Sequence, residues 1–262
     1  MQNLFVSSIK AITPKVLTWR RHLHEYPEAS FAEFATTDYI IEQIKTLPGT
    51  TYERPLPTGV VARLDTGKPG ATVALRADID ALKIKEETDL PFASKNPGLM
   101  HACGHDAHTA MLLGVLHVMY EHRAELRGKF VFIFQPAEED PPGGAKPLVE
   151  KGVLTGVDTI IGQHVASLAD LGTIEVCPGF NAANTDTFTI TVIGASGHGS
   201  RPQKCLDPIP VGAEIVTYLQ QIVSRFVPPI EPAVVSITYF QSGTTHNIIP
   251  DKAVLRGTVR SF

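Results

Sequence analysis

Cysteine is scarce in this chain: Cys103, Cys177 and Cys205 are its only three, far apart and odd in number. That excludes a disulfide framework and points to reduced thiols in a cytoplasmic protein. Runs of like charge are also missing. The 23 basic and 27 acidic residues are interspersed and leave a net charge of −4, so neither a nucleic-acid surface nor a polybasic membrane patch is expected. No apolar stretch approaches the roughly 20 residues that a spanning helix needs. Met1 to Lys15 lacks the basic start, apolar middle and small-residue cleavage site of a secretory signal. Internal repeats and low-complexity segments are absent as well. What remains is an ordinary globular composition, 43% hydrophobic and 19% charged over 262 residues, enough for one large domain or two modest ones.

Pattern divides the chain near Asn181. Before it, Pro14 to Thr46 has helical spacing in two pieces separated by Pro27, with Val16, Trp19 and Leu23 on the first and Phe34, Ile40 and Ile44 on the second. Short, continuously apolar runs at Val60–Leu64, Thr72–Arg76, Lys129–Phe134 and Thr159–Gly162 have the character of buried strands in a helix-covered sheet. Ala107 to Glu121 is apolar on nearly every face, which predicts a buried helix, and a shorter helix is expected at Ala145–Lys151. Strands alternating with helices imply an α/β sandwich. Beyond Asn181 the texture changes. Thr187–Ile193 alternates as a strand with one wet face, and an amphipathic helix follows from Asp207, its expected cap, to about Phe226. Val234–Phe240 and Ala253–Val259 complete a strand–helix–strand–strand unit, a small α/β domain. The expected division is 1–182 and 183–262.

The chemistry-bearing residues gather in four places. His101-Ala-Cys-Gly-His-Asp-Ala-His108 packs three histidines, a cysteine and an aspartate into eight residues ahead of a buried helix. Cys103 and His105, two apart, can face one ion from an extended loop that Gly104 allows to bend, and Asp106 is placed to cap the helix. The plain alternative is a polar turn with solvated histidines, but intracellular Cys/His clusters are more often metal or catalytic sites. Phe132-Ile-Phe-Gln-Pro-Ala-Glu138-Glu139 runs an apolar strand into paired carboxylates, which suit a division between cation anchor and proton carrier. Taken alone, acidic turns after strands are usually just solvated. His164 ends another strand, where a lone histidine is more often structural than a ligand. Asp78 and Asp80, also at a strand end, are equally suited to orienting a ligand histidine or to shaping a turn.

These segments resemble one family. Arg20-Arg-His-Leu-His-Glu-Tyr-Pro-Glu28, Leu75-Arg-Ala-Asp-Ile-Asp-Ala-Leu82, the His101–His108 segment, Gln135-Pro-Ala-Glu-Glu139 and Asn247-Ile-Ile-Pro-Asp251 are similar, in order and spacing, to the aminoacylase/carboxypeptidase-type di-metal amidohydrolases. Within that family they resemble the branch of hippurate hydrolase, N-acetyl-diaminopimelate deacetylase and the auxin-conjugate hydrolases. The resemblance implies a three-layer α/β/α metallohydrolase catalytic domain with an inserted small α+β lid, or dimerisation, domain. It implies two divalent metal ions, Mn2+ or Zn2+ with Co2+ or Ni2+ as further options. Cys103 would bridge them, His105, Glu139 and His164 would be terminal ligands, and Glu138 the general base. His198 resembles the lid histidine that reaches a partner subunit's site, and Asn247 and Arg260 the groups that bind substrate.

The activity so implied is hydrolysis of the amide bond of small N-acyl-amino acids, by a homodimer that pairs through the lid. The alternatives are a metallocarboxypeptidase on short peptides, or an inactive fragment that pairs through the lid. Two departures stand out. Arg201-Pro-Gln203 lacks the histidine that relatives often carry after the proline, and the sequence stops at Phe262, inside the lid. Relatives return from the lid to supply a last metal-binding histidine, so an incomplete lid and one missing ligand are expected.

Overall fold

The computed structural model describes residues 2–179 and 182–262, so Asn181, where the pattern changes, lies outside the described residues. The chain forms two compact units, Met1–Ala169 and Asp170–Phe262.

The first unit is built on a five-stranded sheet: β1 (Thr51–Glu53), β2 (Val60–Asp65), β3 (Thr72–Asp78), β4 (Lys129–Gln135) and β5 (Thr159–Gly162), in the order β1-β2-β4-β3-β5. β3, β4 and β5 are parallel, while β2 and β1 add to the sheet antiparallel. Side chains alternate across it. Val60, Ala62, Phe132 and Phe134 meet Trp19 and Leu23 of α1 (Gln2–Glu25), Ile40 and Ile44 of α2 (Phe34–Lys45), and Leu113 and Leu116 of α3 (His105–Glu121). Val61, Val131 and Ile133 face the other way, against Leu148 of α4 (Ala145–Glu150) and Val153. β2 and β4 are therefore covered on both faces, which is why they carry no polar alternation. Each fully buried Phe or Val contributes about 1.5–3 kcal/mol relative to exposure.

Register positions the site. Asp78 is level with Gln135, and Arg76 with Gly162, so the parallel strands end together. Asp80, Glu138, Glu139 and His164 follow at that edge, the carboxyl-end edge where open α/β sheets bind ligands.

Four local expectations are corrected. The first helix starts at Gln2 and carries Pro14 in its interior. Pro14 sits on an exposed turn, where water can serve the carbonyl that loses its amide partner. β1 carries no strand pattern in the sequence, since all three of its residues are exposed. β5 is not buried: it is an edge strand, with Ile160 49% and Ile161 54% exposed. Finally, α3 begins at His105 rather than Ala107, and Asp106 does not cap it. Its carboxylate accepts from His24 Nδ1 and Arg20 Nε, both at 2.8 Å. α3 also keeps a wet stripe, with Val115 38% exposed.

The second unit is a three-stranded antiparallel sheet, β6 (Asn184–Ile193), β8 (Val234–Ser242) and β10 (Lys252–Ser261), with β10 central. Phe188, Ile190 and Val192 alternate inward as their spacing predicts. Asp207 caps α5 (Pro208–Leu219) by accepting from the Ile209 amide at 2.9 Å. The helix stops at Leu219, short of the expected Phe226, and a π-helical turn occupies Ile222–Phe226. Two short strands, β7 (Gly197–His198) and β9 (Ile248–Ile249), pair beside this sheet.

Candidate metal centre

α3 opens on Gly104, whose φ of 84° lies in the left-handed region, and this turn sets Cys103 and His105 on either side of it. A Cβ at Gly104 would stand 2.4 Å from Val165 Cγ2, so the same glycine lets the segment carrying His164, just past the end of β5, approach. Cys103 Sγ lies 3.4 Å from His164 Nε2. His164 Nδ1 donates to the Val165 carbonyl at 2.7 Å, which leaves the Nε2 lone pair free toward Cys103.

His105 is fully buried. Its Nδ1 faces the Asp80 carbonyl at 2.9 Å and Asp80 Oδ1 at 3.3 Å, while Nε2 has no hydrogen-bond partner among the described residues. Around Nε2 stand Asp78 Oδ2 at 3.6 Å, Glu139 Oε1 at 3.7 Å and Glu138 Oε2 at 4.0 Å. Glu139 Oε1 is likewise buried without a partner among the described residues. Orphaned polar atoms that converge in this way cost free energy unless something satisfies them. Three overlapping ligand groups share His105: Cys103 with His164, Asp78 with His108, and Glu138 with Glu139. Thiolate, imidazole and carboxylate converging on one spot fit a divalent cation.

Electrostatics supports that fit. Burial pushes the Cys103 thiol up to about 12, and the carboxylates of Glu139, Glu138 and Asp78 push in the same direction. Positive charge is what the cluster lacks, and a bound cation would deprotonate the thiol. Burial, then Glu139, raises the Glu138 carboxyl above its ordinary range, with His105 opposing. Burial works against the Asp80 carboxylate, yet hydrogen bonds from His105, Ser30 and the Glu139 and Glu138 amides outweigh it and hold its pKa low. Asp78 is also held low: burial opposes its charge, but His108 and Arg76 prevail.

Two further residues complete the geometry. His108 Nδ1 donates to Asp78 Oδ1 at 2.6 Å, and its Nε2 accepts the Val165 amide proton at 2.9 Å, one residue past His164. The sequence signal for this arm was present, because His105 and His108 are one helical turn apart. His101 is buried with both ring nitrogens unpartnered among the described residues, and burial lowers its pKa to about 4. It is neutral at pH 7.

The other candidates lie in the second unit. His198 Nδ1 accepts from Ser200 Oγ at 2.8 Å, and the Gly199 amide donates to the Asn247 carbonyl at 2.9 Å, so the His198 and Asn247 loops are neighbours. Arg260 is not with them. It donates to Thr258 Oγ1 and to the Val259 carbonyl near the far end of β10, opposite Thr185 and Val234. It lies eight positions beyond Lys252, roughly 26 Å of strand.

The family model described as "Peptidase family M20/M25/M40" matches residues 74–254. An N-acyl-L-amino acid amidohydrolase of Geobacillus stearothermophilus is 48% identical over 254 residues, 97% of this chain and 69% of that protein. Thermostable carboxypeptidase 1 of Saccharolobus solfataricus is 44% identical over 259 residues, 98% of this chain and 66% of its own length. Among solved structures, a dinuclear metal-binding peptidase from the M20 family of Bacillus subtilis superposes with a TM-score of 0.80 at 43% identity, over 97% of this chain and 65% of that one. The chain thus spans about two thirds of the length of these relatives. No described helix is long and apolar enough to cross a membrane.

Proposed function

Since the chain belongs to the peptidase family M20/M25/M40, we propose that it carries the catalytic machinery of a metal-dependent amidohydrolase that cleaves the amide bond of N-acyl-amino acids. The observation that carries this reading is the cluster around His105 Nε2, a buried lone pair facing Glu139 and Asp78 beside the Cys103–His164 contact. Cys103, His105, Glu139 and His164 would hold a pair of divalent cations. Thiolate and imidazole favour Zn2+, while the carboxylates admit Mn2+, Co2+ or Ni2+. Such cations, when bound, polarise a carbonyl and lower the pKa of water toward neutrality.

The chain's own side chains supply the rest. Glu138, 43% exposed and with a raised pKa, takes a proton from the attacking water and returns it to the departing amine nitrogen. Asp80 fixes His105 through Nδ1, and Asp78 fixes His108, which holds the backbone beside His164. His198 is assigned to the developing oxyanion, and Asn247 to the substrate. Arg260 is assigned to a substrate carboxylate, for which its planar guanidinium is suited. Asn247 and Arg260 lie at opposite ends of the second unit's sheet, too far apart for one small substrate, so they would serve different subunits of a homodimer.

We further assign 1–182 to the catalytic domain and 183–262 to the lid, and place the protein in the cytoplasm, a reading supported by cysteines that are few, odd in number and far apart in sequence. A metallocarboxypeptidase acting on short peptides is the second reading, favoured by the 44% identity to a protein of that name. Metal analysis of the purified protein, followed by parallel assays on an N-acetyl amino acid and a dipeptide, tests both. Preference for the N-acetyl substrate is expected. Preference for the dipeptide selects the second reading, and absence of bound metal in a folded preparation rejects both.

A further inference from the structure

Glu33 occupies the N-cap position of α2, yet its side chain makes no hydrogen bond to that helix. Glu28 does that instead, accepting from the Ala35 amide at 3.1 Å and the Thr36 amide at 2.7 Å. The Glu33 carboxylate turns inward, fully buried, and accepts the Ala137 amide proton at 2.7 Å across 104 residues of sequence. Its second oxygen, Oε2, is buried without a partner among the described residues. An apolar side chain would fill that space at lower cost, so packing alone does not account for an acid there.

What Glu33 holds is unusual. Ala137 has a φ of 50°, in the left-handed region that residues with a Cβ avoid, at a cost of about 1–2 kcal/mol. Such conformations persist only where the surroundings over-determine them. Here they do. The Ala137 carbonyl accepts from the Gly144 amide at 2.7 Å, and Pro136 is wedged against Gly59 and Gly144, where an added Cβ would come within 2.5 and 2.0 Å of it. Thr37 Oγ1 donates to the Glu33 carbonyl at 2.6 Å and accepts the Gly59 amide proton at 2.8 Å, which fixes Glu33 against the same turn. Two residues on, the Glu139 amide donates to Asp80 Oδ2 at 2.9 Å. Two buried carboxylates from distant parts of the chain therefore grip the turn at Ala137 and at Glu139.

We propose that Glu33 is a positioning residue for the Glu138–Glu139 pair, holding Ala137 left-handed so that both carboxylates are presented beside His105. The backbone angles of Ala137 set the direction of every atom after it. Relaxing to the right-handed or extended region would swing the next two side chains off the cluster. Glu33 touches neither substrate nor cation. This role rests on the assignment of Glu138 and Glu139 made above.

Titration of the metal-free chain with Co2+, followed by calorimetry and visible absorption well below the melting temperature, tests it in Glu33→Ala, Glu33→Gln, Glu33→Asp and Cys103→Ser. Glu33→Ala is expected to weaken Co2+ binding about 10–100-fold, as loss of a group supporting a ligand does. Glu33→Gln should stay near the parent, because its amide oxygen can accept the same proton. Glu33→Asp falls short of Ala137 by one methylene and carries the test if Glu33→Ala fails to fold; it too should bind weakly. Parent-like affinity in the variant that carries the test, while Cys103→Ser loses affinity, overturns the role of Glu33 and leaves the metal centre standing. So does a loss in Glu33→Gln equal to that in Glu33→Ala. An unaffected Cys103→Ser overturns the metal centre itself.

Discussion

His108 donates from Nδ1 to Asp78 Oδ1 across 2.6 Å, and both side chains are buried. The opposite nitrogen accepts the Val165 amide proton, so one imidazole ties the end of β3 to the residue after His164. Removing it in His108→Ala takes the acceptor from the part-buried Val165 amide and one partner from a buried carboxylate that keeps Arg76. A loss of about 1.5–3 kcal/mol in urea unfolding is expected, the range for hydrogen bonds to charged groups. A loss below about 0.5 kcal/mol, the level of an ordinary surface change, would show that neither bond matters.

Glu138 and Glu139 are adjacent but differently placed, Glu138 being 43% exposed and Glu139 19%. Glu138→Gln should leave metal content nearly intact and lower turnover by a factor of about a hundred to ten thousand. Glu139→Gln should lose metal. Equal metal loss in both variants would reverse the assignment.

Gly104→Ala places a Cβ at a φ of 84° and 2.4 Å from Val165 Cγ2. The backbone conformation alone costs about 1–2 kcal/mol. Displacement of Val165 moves the adjacent His164 as well. Lower thermal stability together with weaker metal binding is the expected result. Parent-like metal affinity would mean that Val165 yields without carrying His164.

His24 ties stability to pH. Its pKa is raised, chiefly by the hydrogen bond to Asp106 against the opposing effect of burial, with Glu86 assisting. A raised histidine contributes stability that is fully present below its ordinary value of 6.5 and is lost as pH rises through the higher folded value. Asp106 acts in the opposite sense. Burial disfavours its charge, but His24, His101 and Arg20 lower its pKa, so its contribution is present above 3.8 and fades as pH falls below that. Unfolding free energy should therefore decline above about pH 6.5 in the parent, and His24→Gln should flatten that limb. An unchanged limb in the variant would assign the decline to another group.

The sequence by itself determined what depends on short-range pattern. Strand runs, the alternation of Phe188, Ile190 and Val192, the Asp207 cap and the Cys103-Gly-His105 loop all follow from neighbours within a few residues. Carboxylates and histidines at strand ends could be read for the same reason, since parallel strands deliver their carboxyl ends to one edge. The tertiary structure alone decided the long-range matters. Periodicity does not distinguish a central strand from an edge, so the exposure of Ile160 and Ile161 was hidden. Asp106 has a capping residue's chemistry, but His24 and Arg20, 82 and 86 positions earlier, take its carboxylate inside the fold. Glu33 is an ordinary helix-start acid until packing carries it to Ala137, 104 residues away. Sequence pattern records which face a side chain takes. Which distant backbone group it meets there is settled only when the layers close and buried polar atoms have to find partners.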